Sequence, residues 1–413
     1  MKPFRRRLKK TALKALIRED KTQALLAALA GTGEETRIIG GAVRNALLGA
    51  PVEDIDLATT LLPQQVMEKA AAAGFRPVPT GIEHGTVTVV VSGKPFEVTT
   101  LRRDVETDGR RAVVAFSRDF DEDAGRRDFT FNALSLDGEG RLHDPFEGLA
   151  DLAEGRVRFI GDPRARIMED YLRILRFFRF YARYGHGQPD REALLAIVAL
   201  RDGLGQLSVE RVWMELKKLL ATQDPSRALR WMRQGGVYPL VLPESGDMDN
   251  LDSVMAMESA LGIDADPLRR LEALLQPRID RVQALVQRLK LSAREASRLR
   301  GYVSALGYDP VSRAQDLFVM VHRLPPDALT DAIVHMAARV ERLSGDGEAT
   351  GRSLILRTQA LEGASFPVRA ADLMALGHKP GPALGQMLKT LEDLWVESGF
   401  ALSQAELLES LPE

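Results

Sequence analysis

The chain has 413 residues, 45% of them apolar, and its 56 basic and 58 acidic side chains leave a formal net charge of −2. That length exceeds a single hydrophobic core and predicts two to four domains. The even charge offers no overall attraction to a polyanion, so any nucleic-acid contact must come from local clusters. No stretch reaches the roughly 18 apolar residues of a membrane span. The lack of cysteine excludes disulfides and thiolate metal sites and suits a reducing, cytoplasmic setting.

In chain order, residues 1–30 are expected to form an N-terminal basic helix. Lys2, Arg5, Arg6, Arg7, Lys9 and Lys10 precede the first acid, Glu19, and neither a secretory signal nor an organelle presequence is expected there. Residues 31–160 read as a mixed α/β head. Short β-rich runs at Arg37–Ile39, Thr86–Val91, Phe96–Leu101, Val113–Phe116 and Ala133–Leu136 are separated by turn residues. A helix is expected from Pro63 to Gly74, with proline and glycine placed as helix ends prefer. At residue 161 the pattern changes. Asp162-Pro163 supplies an N-cap and a first-turn proline, and Ile167, Tyr171, Ile174, Leu175, Phe178 and Ala182 keep a helical period to Gly185. Residues 161–222 thus read as a helical neck and 223–413 as a helical body and tail, with helices such as Arg191–Arg201, Val209–Ala221, Pro225–Gly235, Arg269–Arg288 and Ala383–Ser398. Residues 281–300 carry Arg281, Arg288, Lys290, Arg294, Arg298 and Arg300 against Glu295 alone. That cluster could touch a phosphate backbone or could be a solvated helix face.

Three constellations carry chemistry. Ile38-Ile39-Gly40-Gly41-Ala42-Val43-Arg44 puts two glycines, which let a backbone approach phosphate closely, before an arginine. Ten residues on comes Asp54-Ile55-Asp56, whose two acids would share one face of a strand. Carboxylates held so close repel unless a divalent cation lies between them, so Asp54 and Asp56 are the candidate Mg²⁺ ligands. Glu97, on its own strand-like segment, is the candidate third acid. Next, Arg126-Arg127-Asp128 offers forked cations for a triphosphate and an acceptor for ribose hydroxyls. Taken alone it would be a salt-bridged strand start. Finally, Glu169-Asp170-Tyr171-Leu172-Arg173 puts Asp170 and Arg173 on one helix face. They form either a surface ion pair or a pair that reads a base edge, the acid accepting an amino proton and the guanidinium donating.

Together these segments, from Ile38 to Leu220, resemble the class II tRNA nucleotidyltransferase (CCA-adding) and bacterial poly(A) polymerase family. The resemblance implies an α+β fold: a polymerase β-like nucleotidyltransferase head of mixed sheet and helices, followed by an all-helical neck, body and tail. It implies that Gly40, Gly41 and Arg44 hold the triphosphate, and that Asp54 and Asp56 hold the metals. Arg127 and Asp128 would hold phosphate and ribose. Glu169, Asp170 and Arg173 would be an amino-acid template for CTP and ATP, with Arg176 and Arg179 also at the nucleotide. Glu210 and Arg211, in Ser208–Leu216, would buttress the template. Asp108, Arg110 and Arg111 fall in the flexible loop, whose basic element the resemblance ties to full CCA addition rather than CC-only addition. Implied partners are tRNA, CTP and ATP. The first motif departs from the family pattern, with Asn45 where aspartate is usual, and no catalytic role is assigned to it.

A poly(A) polymerase, a CC-only or A-only enzyme, and a catalytically silent tRNA-binding protein are the competing expectations. The segment Thr80–Val89 and the lack of a strongly basic C-terminal extension favour CCA addition. His143-Asp144 is expected to be a strand-end turn, and the three tryptophans to be packing residues.

Overall fold

The computed structural model describes residues 4–108, 111–246, 248–276, 278–361 and 363–411, with the side chains of 104–114 outside that description. Two compact units emerge: residues 1–219 with 227–241, and residues 220–226 with 242–413.

The first unit opens with α1 (Lys10–Arg18) and α2 (Asp20–Leu29). The expected single basic helix is therefore two helices, parted where Glu19 takes an extended conformation. Residues 4–9 precede them without helix, and Arg6 and Lys9 donate backbone hydrogen bonds to Ala153 and Leu47. Next come β1 (Thr36–Ile39), α3 (Gly41–Leu48), β2 (Asp56–Thr59), α4 (Pro63–Ala72), β3 (Arg76–Gly81), β4 (Thr86–Val91) and β5 (Lys94–Thr100). After these lie β6 (Arg102–Asp108), β7 (Arg111–Phe116), α5 (Phe120–Gly125), β8 (Ser135–Asp137), β9 (Leu142–His143) and α6 (Gly148–Glu154). Seven strands form one mixed sheet in the order β3-β4-β5-β2-β1-β8-β9, while β6 and β7 pair separately. Only β2 and β5 run parallel, and their register sets Asp56 opposite Glu97. The strand expected to carry Asp54 and Asp56 is β2, which begins only at Asp56.

The neck contains α7 (Pro163–Glu169), α8 (Leu172–Tyr184), α9 (Arg191–Leu200) and α10 (Val209–Leu220), followed by α11 (Ser226–Gln234) and α12 (Tyr238–Val241). Asp162 caps α7 as expected, accepting from the backbone of Arg164 and Ala165. The continuous helix expected through to Gly185 is broken. Asp170 is extended (φ −157°, ψ 106°), and its Oδ1 accepts from the Leu172 amide, capping the next helix. A Cβ on Gly203 would lie 2.0 Å from the Tyr171 ring, so only glycine there lets that ring pack in the break. An aromatic core binds neck to head: Phe129 lies 4.8 Å from Phe159 and 5.3 Å from Phe180, and Phe131 lies 5.6 Å from Phe180. These rings are buried, and their alternation in Asp128-Phe129-Thr130-Phe131-Asn132 turns Asp128 and Asn132 away from the apolar core.

The second unit is helical: α13 (Asp249–Leu261), α14 (Pro267–Leu274), α15 (Ile279–Leu289), α16 (Ala293–Ala305), α17 (Ala314–Arg323), α18 (Pro326–Ser344), α19 (Gly347–Ala360), α20 (Ala370–Ala375), α21 (Pro382–Glu397) and α22 (Gln404–Glu409). The helix expected over Arg269–Arg288 is two, α14 and α15. The basic stretch 281–300 is no continuous basic face either. Arg288 pairs with Glu244 at 2.6 Å, and Arg298 turns inward to Asp331 at 2.5 Å, because a helix face that packs must neutralise its cations. Arg281 and Arg300 remain exposed, as does Arg294 with its partner Asp327. Trp213 and Trp395 are buried, as packing residues. No helix among the described residues is long and apolar enough to cross a membrane.

Candidate active site

A cavity of about 490 Å³ opens where β1, α3, the segment 126–132, α8 and α10 meet. One end of it is built on Gly40, whose φ of 60° suits glycine, and a Cβ there would come within 3.1 Å of Arg127 Nη1. Arg44, one turn into α3, is 7% exposed and stacks over the Tyr184 ring at 4.7 Å. Its guanidinium donates to the Asn132 and Asn45 side-chain oxygens, at 2.5 Å and 3.1 Å, and burial pushes its pKa down. Arg127 donates to Asn132 O and Asp123, while its Nε is buried without an acceptor. Asp123 also holds Arg126, and both cations outweigh its burial to keep its carboxyl below the ordinary range. Asp123 was not singled out from the sequence, although its spacing three and four residues before the two arginines was a readable signal.

Asp128 is 6% exposed. Burial alone would raise its pKa, but Arg176, at 2.5 Å, and the Asn132 amide hold it down, so it is ionised. Along α8, Arg173, Arg176 and Arg179 fall three apart and share one face. Three cations so close need anions: Glu169 takes Arg173, Asp128 takes Arg176, and Glu215 takes Arg179 at 2.5 Å. Glu215, on α10, had no local signal, because its partner is 36 residues away.

The expected pairing of Asp170 with Arg173 is absent. With the helix broken, Arg173 bonds Glu169 and the carbonyls of Arg166 and Arg126, while Asp170 Oδ2 accepts from Arg211 at 2.7 Å. Both nevertheless line the cavity, beside Arg44, Arg126, Arg127, Asp128, Arg176, Arg179 and Arg211. Glu169 and Glu210 stand outside its wall.

Of the three acids, Asp56 alone lines the cavity. Strand β2 begins at Asp56, so Asp54 precedes the strand instead of sharing it. Although open to solvent, Asp56 sits in a crowded setting that raises its pKa, and the charges of Glu97 and Asp54 push it further up. Among the described residues, the acid or histidine trio with all ligand atoms within 4.8 Å is Glu35, Asp137 and His143. That trio is already spent: Arg37 holds Glu35, and Arg141 and His143 hold Asp137. His143 ends β9 and Asp144 caps α6 through the amides of Gly148 and Leu149, which is the turn role expected. In the expected loop, Arg110 lies outside the described residues, as do the side chains of Asp108 and Arg111.

A mixed sheet carrying Asp56 opposite Glu97, with glycines, arginines and a helical neck lining the same cavity, fits a nucleotidyltransferase with a polymerase β-like head. Residues 36–158 match the family described as the poly A polymerase head domain, and residues 188–248 match the probable RNA and SrmB-binding site of polymerase A. A mitochondrial CCA tRNA nucleotidyltransferase 1 of Danio rerio is 38% identical, covering 92% of this chain and 87% of its own. The CCA-adding enzyme of Streptococcus gordonii is 32% identical, covering 89% and 90%. The crystal structure of the Bacillus stearothermophilus CCA-adding enzyme in complex with CTP superposes with a TM-score of 0.76 at 28% identity, covering 94% and 96%. The chain belongs to the CCA-adding tRNA nucleotidyltransferase family.

Proposed function

We propose that this protein adds C, C and A to the 3′ end of tRNA from CTP and ATP without a nucleic-acid template. The observation that carries this reading is the presence of Asp170 and Arg173 in the same cavity wall as Arg44, Arg127 and Asp128. Cytosine and adenine each present an exocyclic amino donor beside a ring-nitrogen acceptor. Asp170 accepts from the first and Arg173 donates to the second, whereas uracil and guanine present the reverse order. Asp170 has spent two of its about four lone-pair sites on Leu172 and Arg211, so capacity remains. Arg44 and Arg127 grip the triphosphate, and Asp128 accepts from the ribose.

The terminal 3′-oxygen of the RNA attacks the α-phosphorus, the bond to the β-phosphate oxygen breaks, and pyrophosphate leaves. Asp54, Asp56 and Glu97 offer only carboxylate oxygens, the donor type that suits a hard divalent cation, and besides burial the charges of Glu97 and Asp54 raise the Asp56 pKa, a repulsion such a cation relieves. Mg²⁺, held by Asp54 and Asp56 with Glu97 beside them, would activate the hydroxyl and neutralise the departing pyrophosphate. The loop bearing Asp108, Arg110 and Arg111 accommodates the change from CTP to ATP. Glu210 and Arg211 support the template.

The division of labour follows the expected segments: head over 31–160, neck over 161–222, and body with tail over 223–413 gripping the tRNA by shape and backbone. Arg281 and Arg300, exposed like Lys290 and Arg294 in the 281–300 stretch, are the candidate contacts there. A cysteine-free chain suits a cytoplasmic compartment. Purified protein given tRNA lacking its terminus, with CTP and ATP separately and together, tests the reading. Restoration of CCA is expected; long A-tails or failure to use CTP would overturn it.

A further inference from the structure

Arg44 and Asp128 both line the cavity, yet the two do not bond one another. The side chain between them is Asn132. Its Oδ1 accepts from Arg44 Nη1 at 2.5 Å, and its Nδ2 donates to Asp128 Oδ1 at 2.9 Å. The far oxygen of Asp128 receives Arg176 Nε at 2.7 Å. A guanidinium offers only donors and an ionised carboxylate only acceptors, so an amide, with one of each on a rigid plane, joins them in a single orientation. Asn132 is itself 8% exposed, and its bonding partners are buried or half-buried, so these bonds face little competition from water.

We propose that Asn132 is a positioning residue that locks Arg44 and Asp128 against each other, so that triphosphate grip and ribose selection form one mechanical unit. The proposal rests on the reading that Asp128 senses the ribose. A packing role alone would need an apolar or merely space-filling group at this position, whereas the observed contacts use both polar ends of the amide. A backbone contact reinforces the junction, since Asn132 O accepts from Arg127 Nη1 at 3.1 Å. Three groups that face the nucleotide therefore take their positions from one residue.

Replacing donor by acceptor breaks the bond to Asp128 and puts a charge on the bond to Arg44. Asn132→Asp keeps an oxygen for Arg44 but turns a second acid toward Asp128, and it is close to isosteric. Asn132→Ser reaches neither partner. The measurements are kcat/KM for CTP against dCTP on tRNA lacking its terminus, and calorimetric affinity for inorganic pyrophosphate. For Asn132→Asp, the ribo-to-deoxy preference is expected to fall by about tenfold, the loss of one charge-assisted hydrogen bond, and pyrophosphate affinity to fall by roughly three- to tenfold, because a carboxylate then neutralises Arg44. For Asn132→Ser, both are expected to fall. Added to Asp128→Ala, Asn132→Ser should cost no further sugar preference, because the two act through one contact.

If Asp128→Ala collapses the preference while both Asn132 variants retain it, the coupling is wrong and the ribose reading stands. If Asp128→Ala itself leaves the preference intact, the ribose reading fails and carries the coupling with it. Should Asn132→Asp prove insoluble, the Asn132→Ser measurements alone decide, since preserved sugar preference there overturns the lock.

Discussion

Glu169, not Asp170, is the carboxylate that holds Arg173, at 2.5 Å. The adjacent acid is left to Arg211, which reaches it from α10 at 2.7 Å. The two residues proposed to read one base are thus anchored from different sides: Arg173 by the end of α7, Asp170 by α10. Each keeps its own support, so their relative placement depends on how the two helices pack.

That division predicts separable defects. Glu169→Gln removes the charge that aims Arg173, and Arg211→Ala frees Asp170. Each variant should keep CTP incorporation measurable while discrimination against UTP falls by about tenfold, the value of one charge-assisted hydrogen bond. Single-nucleotide incorporation with CTP and UTP measures it. Unchanged discrimination in both variants would remove Asp170 and Arg173 from base reading.

The Arg44 guanidinium has only neutral acceptors among its hydrogen-bond partners, the side chains of Asn45 and Asn132. Its charge is therefore uncompensated by protein. Asn45→Asp would set a carboxylate about 3 Å away and lower inorganic pyrophosphate affinity by roughly three- to tenfold. The usual family residue at this position is an acid, so activity should survive with raised KM. Isothermal titration gives the affinity; equal binding by parent and variant would show that the amide is indifferent.

Replacing Asp54 and Asp56 together by alanine should reduce incorporation by at least about a thousandfold while tRNA binding, read by gel shift, is retained. A chelator should reproduce the loss in the parent, and added Mg²⁺ should restore it. Nucleotide addition by the double variant would relocate the metal site.

The helical body carries its own pH signature. His335 is buried with its pKa pushed down to about 3, by burial first, and Glu272, 3.4 Å from it and fully buried, is pushed well above the ordinary carboxyl range, again by burial. The signs oppose. A depressed histidine loses stability as pH falls below about 6.5, and a raised carboxyl loses stability as pH rises above about 4.5, each with a slope near 1.4 kcal/mol per pH unit. Between those values they cancel in the parent. His335→Gln should make stability rise as pH falls across that window, and Glu272→Gln should make it fall. Urea unfolding of the full chain at pH 4.5, 5.5 and 6.5 reads the slopes; parallel curves for parent and both variants would mean that neither group is shifted.

Much of the head was legible because its chemistry is local. The glycines and arginine of 40–44, the acids at 54 and 56, and the Arg-Arg-Asp of 126–128 are each short segments, and in combination, with the family resemblance, they imply phosphate, metal and sugar contacts. Glu97 was found because it sits on a recognisable strand; that it stands beside Asp56 required the parallel pairing of β2 with β5. The break at Asp170 was missed because the apolar period of 167–182 runs through it unaltered, while the capping bond and the space at Gly203 are tertiary facts. The 281–300 cluster misled for the converse reason: composition counts cations but not the direction in which each helix face is turned.

By itself, then, the sequence determined a nucleotidyltransferase head followed by helices, and put forward side chains for phosphate, metal, sugar and base. Only the tertiary structure decided who holds whom. Arg44 meets Asn132 across 88 residues and Asp170 meets Arg211 across 41. Such pairings join different elements, since spacing along a chain fixes neighbours within one element and packing alone fixes them between elements.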